Sequence, residues 1–370
     1  MVHYRQNLLS WPVSFHLESI QMFGSYRTFL AVLVVALHLG GAKKIGAYAV
    51  FGFYCLSGYL MTLIMQSTYG YARDGVFRYA LNRFLRIYPI YWVSIALSGV
   101  LVLWLGSAWT RGYHETIYLP GSAWEIFKNI ALFFPAREAP RLTPPAWALT
   151  VELFFYILIG AGLSKSKLIT TGWFVISLAY HGAALILHFG REHRYFTVAA
   201  AALPFSTGAM IYHFKDQLGQ LVAYEGRGWK RYLPVYGVIL MIVNWAVGIG
   251  LWKFLGWNAL DSVFFYLNYL ICGSMVVLLM QRTELPLINR AIDKWLGDFS
   301  YPIYLIHYQV GILVLVLLGA FGVSISRPSP LLFIAARPFI FFDLFCDNGA
   351  SRASNRGDTG ACEKLTMRCS

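Results

Sequence analysis

The chain has 370 residues, of which 58% are hydrophobic and only 13% charged, and its formal net charge is +13. A soluble domain carries about 25% charged residues, so the composition excludes a large water-soluble protein. The positive balance does not point to nucleic acid either. Basic residues fall between apolar runs, where membrane orientation accounts for them, and neither a nucleic-acid motif nor a zinc-type spacing is present.

Ten apolar segments lie at about 26–42, 45–67, 87–106, 146–162, 169–189, 195–213, 232–250, 257–280, 301–320 and 329–346. Each is near the ~20 residues that span a bilayer. The first and fourth are short, and the last is the weakest. The predicted fold is all-α: a polytopic membrane protein with about ten transmembrane helices in one bundle. The 12 Trp and 24 Tyr suit repeated membrane interfaces. One transmembrane domain over 1–346 is expected, followed by an atypical polar tail over 347–370. Asp343 interrupts the last apolar run, and the tail reads as a frameshifted or truncated terminus or as unrelated added sequence. The N-terminus shows no signal peptide with a small-residue cleavage site. Cys55, Cys272, Cys346, Cys362 and Cys369 form no pair pattern.

In the first segment, "RTFLAVLVVALH" sets Arg27 eleven positions before His38. Eleven residues return a helical side chain to within ~20° of its starting direction, ~16 Å further along the axis. The two groups therefore share a face. Histidine suits general-base work, although a packing role fits a lone histidine equally. Arg27 suits a phosphate or a plain membrane-edge anchor.

"FGFYCLSGYLM", residues 51–61, brings Gly52, Ser57 and Gly58, which suit close helix approach. Arg83 and Arg86 in "NRFLRIYPIYW" are three apart and share a helix face. They can clamp a phosphorylated ligand or mark the inside edge of a span. With Arg73 and Arg78 they cast the strongest vote for an inside loop over 73–86, and Pro89 is expected near the start of the next span. The 107–145 connection, with Trp109, Trp124, Arg137, Arg141 and Pro144–Pro145, is long enough to be functional, and it can fold over a site's mouth.

In "PPAWALTVELFFYIL", Glu152 is the acidic residue of an apolar run, and a buried carboxylate must be paired or protonated. Trp147, Thr150 and Glu152 can build one polar pocket. In "GDFSYPIYLIHYQVG", Ser300 and His307 lie seven apart, close to one face. His307 is a second intramembrane imidazole, suited to a polar cavity or to a structural hydrogen bond.

In order and spacing, these stretches together resemble the acyltransferase-3 family of integral membrane O-acyltransferases, from about Tyr26 to Pro330. The resemblance implies a ten-helix core in the bacterial inner (cytoplasmic) membrane with both termini cytoplasmic. It implies transfer of an acetyl or short acyl group from acetyl-CoA or another acyl-CoA to a hydroxyl of a surface or exported saccharide or lipid-linked oligosaccharide. No permanently bound cofactor, metal or nucleic acid is expected, and membrane lipids are the surrounding partner. The resemblance makes His38 the catalytic residue, with Glu152 a second assignment. It makes Arg27, Arg83 and Arg86 the donor-binding set and His307 a further site residue; with the residue reading above, Trp147, Ser300 and His307 are the expected acceptor or cavity residues. A transporter or flippase of a lipid-linked saccharide, or an inactive relative, is the competing reading.

Overall fold

The computed structural model describes residues 21–222, 228–256, 261–286, 288–325 and 327–340. The expected tail at 347–370, with Asp343, Cys346, Cys362 and Cys369, lies outside the described residues. Within them the fold is all-helical: no strand is present beyond one isolated bridge between Leu285 and Ile288.

The helices are α1 (Gly24–His38), α2 (Ile45–Ile64, continued by a π-turn Met65–Tyr69), α3 (Arg73–Leu105), α4 (Ser107–Tyr113) and α5 (Ala123–Ala131). They continue with α6 (Ala146–Gly160), α7 (Lys167–Ile186), α8 (Val198–His213) and α9 (Lys215–Leu221). The last four are α10 (Leu233–Leu255), α11 (Asp261–Leu279), α12 (Arg290–Ala320) and α13 (Pro330–Ile340). Over the described residues, each of the ten apolar segments overlaps one of these helices. Six stretches among the described residues are long and apolar enough to cross a bilayer: Ile45–Tyr69, Arg73–Leu105, Lys167–Ile186, Trp229–Leu255, Asp261–Leu279 and Arg290–Ala320. Helices α1, α6 and α13 are apolar but shorter.

Helix α2 is the axis of the bundle. Its apolar window is 89% buried inside the protein, against 11% for the window over Trp229–Leu255, which faces outward. Small residues let neighbours approach α2 closely. A Cβ on Gly58 would stand 2.1 Å from the carbonyl oxygen of Phe205 on α8, and one on Gly208 would stand 1.9 Å from that of Cys55. Cys55 and Cys272 are buried free thiols.

Two boundaries differ from the sequence reading. The expected loop at 73–86 is helical, and Pro89 lies inside α3 rather than in its first turn. An interior proline removes one helical hydrogen bond and costs about 3 kcal/mol or more, so packing must hold this helix together. A single stripe supplies it: Tyr79, Arg83, Ile87, Tyr91, Ser94 and Ser98 are buried, whereas Phe77, Leu81, Phe84 and Leu85 point outward. Likewise α12 starts at Arg290, not near 301, with Asn289 capping the backbone N–H of Ile292 at 2.9 Å. Both extensions carry several charges, Arg73, Asp74, Arg78, Arg83 and Arg86 in α3 and Arg290, Asp293, Lys294 and Asp298 in α12, which mask their apolar period.

The 107–145 connection folds into α4, α5 and ordered turns. Ser122 and Glu125 form a capping box at the start of α5. Ile117 and Leu142 pack with Leu101 of α3 and with Tyr308 and Ile312 of α12, so the connection is seated on the bundle.

Candidate functional site

Helices α1 and α12 run side by side and are fastened at both ends. At the N-terminal end of α1, Asp293 accepts from the backbone N–H of Gly24 at 2.9 Å and of Ser25 at 2.8 Å, and from Ser25 Oγ at 2.6 Å. These are donors that no residue of α1 itself can satisfy, and a carboxylate there also complements the helix dipole. Close approach is needed for this: a Cβ on Gly297 would lie 2.7 Å from Gly24 Cα. At the other end, His38 Nδ1 lies 2.9 Å from His307 Nε2.

The hydrogen bonds assign the tautomers of this pair. His307 Nδ1 lies 2.8 Å from the carbonyl oxygen of Tyr304. A carbonyl only accepts, so Nδ1 carries the hydrogen, and Nε2 of the neutral ring presents a lone pair. His38 Nδ1 must then donate to it, leaving His38 Nε2 unprotonated. No protein group among the described residues bonds that nitrogen. The ring planes are within 7° of parallel.

His38 lines two cavities. One, of about 550 Å³, is bounded by Tyr113, His114, Tyr308 and Arg327 among others. The second, of about 140 Å³, is bounded by His114, Arg137, Arg141, Trp147, Arg191 and Tyr304 among others. His114 comes from the 107–145 connection. Its Nδ1 accepts from the backbone N–H of Thr116 at 3.3 Å, which leaves Nε2–H as the donor of the neutral ring. Burial, followed by the nearby Arg141 and Arg137, pushes its pKa down to about 4, so it is neutral at neutral pH. The arrangement thus presents a nitrogen lone pair on His38 and an N–H on His114 to the same space.

Arg27 occupies the other end of α1. It lines a cavity of about 90 Å³ with Ser57, Arg83, Arg86, Glu152 and Ser300. It also lines a wider one of about 300 Å³ with Arg86, Arg290, Asp293 and Lys294. Val50 and Tyr304 border both the 90 Å³ arginine cavity and the 140 Å³ histidine cavity. The wall between them is therefore about one side chain thick.

The structure brings together Arg27, Arg83, Arg86, Glu152 and Ser300 on one side of this wall, and His38, His307 and Trp147 on the other. Glu152 does not stand beside His38. Its Oε1 accepts from Ser57 Oγ at 2.6 Å and closely from Tyr156 OH. Nor do Trp147, Thr150 and Glu152 build one pocket. Positions 147 and 152 diverge by ~140° around a helix turning 100° per residue. Thr150 instead bonds backbone, donating to Leu132 O at 2.9 Å and accepting from Phe134 N–H at 3.1 Å. Ser300 donates to Gly297 O at 2.7 Å. His114, Arg191, Tyr304 and Tyr308 were not singled out in the sequence. A histidine inside the long connection that also carries Arg137 and Arg141 was the available signal for His114.

The fold and site define an all-helical protein with membrane-length apolar helices and polar cavities near both ends of α1, separated by Val50 and Tyr304. The family model described as "Acyltransferase domain", acyltransferase-3, matches residues 15–342, and the chain belongs to that family. It is similar to "Acyltransferase MdmB" of Streptomyces mycarofaciens, at 24% identity over 147 residues, covering 38% of this chain and 33% of that protein. The match thus spans about a third of the relative's length. No solved structure matches. Membership of the family supports a membrane acyltransferase activity.

Proposed function

We propose that this protein is a ten-span O-acyltransferase of the bacterial inner membrane, with both termini in the cytoplasm. It moves an acetyl or other short acyl group from acyl-CoA to a hydroxyl of a surface or exported saccharide. The observation that carries this reading is the His38–His307 pair, which leaves His38 Nε2 as a lone pair facing the cavities it shares with His114.

The donor enters from the cytoplasmic end. Arg27, Arg83 and Arg86 receive its phosphates, a task suited to guanidinium groups. Its thioester reaches the wall formed by Val50 and Tyr304. The acceptor comes from the opposite side. His38 Nε2 takes the hydroxyl proton as the oxygen attacks the thioester carbonyl carbon. A C–O bond forms, and the developing oxyanion is met by His114 Nε2–H. Collapse breaks the C–S bond, and the departing thiolate recovers the proton from His38. The His307 lone pair holds the positive imidazole of His38 meanwhile. A covalent relay through acyl-His38 uses the same nitrogen and is the second route.

Glycans from a deletion strain complemented with wild-type or His38→Ala protein, compared by mass spectrometry, test the reading. Loss of one ester mass in the deletion, restored by wild type alone, is the expected result. Restoration by His38→Ala, or translocation of saccharide without acyl-CoA turnover in reconstituted vesicles, would refute it; the latter would favour a flippase.

A further inference from the structure

The wall opposite His38 is unusually basic. Arg137, Arg141 and Arg191 line the 140 Å³ cavity, and no Asp or Glu does. Arg141 is 3% exposed, and a guanidinium stays charged in a protein. Buried charges are normally paired. Here Nε donates to Pro144 O at 2.7 Å and Nη1 to Arg137 O at 2.8 Å. Among the described residues no carboxylate lies within ion-pair distance of it. Glu115 is near enough to favour its charge, yet burial and Arg137 outweigh that and push its pKa down to about 10. The surroundings are short of negative charge.

The other two arginines are presented rather than spent. Arg137 stacks on Phe196 at 3.7 Å, and its acidic partner among the described residues, Glu192, is 3.4 Å away and outside the cavity lining. Arg191 is exposed and lies over Tyr195 at 5.7 Å. A stacked guanidinium keeps its N–H edge available for a bidentate anion. Orientation does not account for them: on the topology proposed above they stand at the non-cytoplasmic end, where the positive-inside rule supplies no reason for arginine.

Resting on the O-acyltransferase reading, we propose that this cavity selects an anionic acceptor. A carboxylate or phosphate of the saccharide is held by Arg137, Arg141 and Arg191, while a hydroxyl of the same sugar or its immediate neighbour meets His38. The aromatic rings of Trp147 and Tyr195 in the same lining provide faces for the sugar.

The test compares mature and lipid-linked glycans from a deletion strain carrying wild-type, His38→Ala or Arg137→Gln/Arg191→Gln protein, by mass spectrometry and NMR. The double variant avoids Arg141, whose bonds to backbone carbonyls also hold the connection together. The ester that depends on His38 is expected on a sugar that bears, or is directly linked to, an anionic group, and NMR distinguishes carboxylate from phosphate. The double variant, inserted and melting as wild type, is expected to lower ester occupancy roughly tenfold, equivalent to about 1.4 kcal/mol. An ester on a neutral stretch, or unchanged occupancy in the double variant, overturns anionic selection and leaves the O-acyltransferase reading standing. Absence of any ester that depends on the gene overturns both.

Discussion

His38 Nδ1 and His307 Nε2 meet at 2.9 Å across 269 positions of sequence, and the same two helices are tied fourteen residues earlier in each by Asp293 on Gly24. At 1.5 Å per residue both ties are ~21 Å from one another along either helix. The register of α1 against α12 is thereby fixed at two points, and so is the direction of the imidazole. A base that must meet a hydroxyl and a thioester in one geometry gains from being held this way.

The tautomer argument gives His307 a positioning role with a specific signature. His307→Ala removes the acceptor for His38 Nδ1–H and frees the ring to adopt the opposite tautomer. Turnover is expected to fall by roughly 100-fold, the lower end of what general-base catalysis contributes. His307→Gln, whose side-chain oxygen can accept, is expected to recover part of that loss. KM for acyl-CoA should not move, because His307 lines neither arginine cavity. Steady-state kinetics on purified protein checks this, and equal loss in both variants would remove the tautomer role.

Asp293 makes a claim on stability. Asp293→Ala leaves the first donors of α1 uncapped inside the protein, where its exposure is only 4%. A lost cap costs about 0.5–2 kcal/mol. The melting temperature in detergent should fall, and Arg27, one turn into the same helix, should hold its ligand less well. An unchanged melting temperature would mean that α1 is fixed by packing alone.

Much of this architecture was legible in hydrophobic runs. The apolar segments fall on helices, and Arg83 lies on the buried stripe of α3, as a charge in a membrane segment should when it faces a cavity. What the runs concealed has physical causes. The N-terminal parts of α3 and α12 carry Arg78, Arg86, Asp293 and Lys294, so a hydropathy reading takes them for loops. Glu152 and Trp147 look adjacent in sequence, yet helical rotation sends them to different cavities. No local pattern couples His38 to His307 or brings His114 to them, because those proximities arise from helix packing and from a folded connection.

His114 gives a pH dependence with a defined sign. Its folded pKa of about 4 lies below the unfolded value of about 6.5. Between these values the unfolded chain binds a proton that the native protein does not, so stability falls as pH drops from about 6.5 through about 4. Above that window His114 contributes nothing to the slope. Melting temperatures of wild type and His114→Gln should run parallel above pH ~6.5 and converge or cross as acid is added, with the wild type losing more. Parallel curves throughout would show that His114 is not held neutral.

The thin wall between the cavities yields the sharpest test of a donor that must reach across it. Val50 is 5% exposed and borders both the arginine cavity and the histidine cavity, as does Tyr304, whose hydroxyl donates to Pro145 O at 3.3 Å. Val50→Phe adds bulk where the thioester must approach His38 and leaves Arg27, Arg83 and Arg86 unsubstituted. Misplacement of reacting groups by about 1 Å can cost 100-fold. Transfer is therefore expected to fall by about that factor, while acyl-CoA still protects the protein against thermal unfolding as it does the wild type. Overpacking is monitored by the melting temperature without ligand. Full transfer by a stably folded Val50→Phe protein would mean that the thioester meets the acceptor by another route, and loss of acyl-CoA protection would place the donor deeper in the bundle than the arginines alone require.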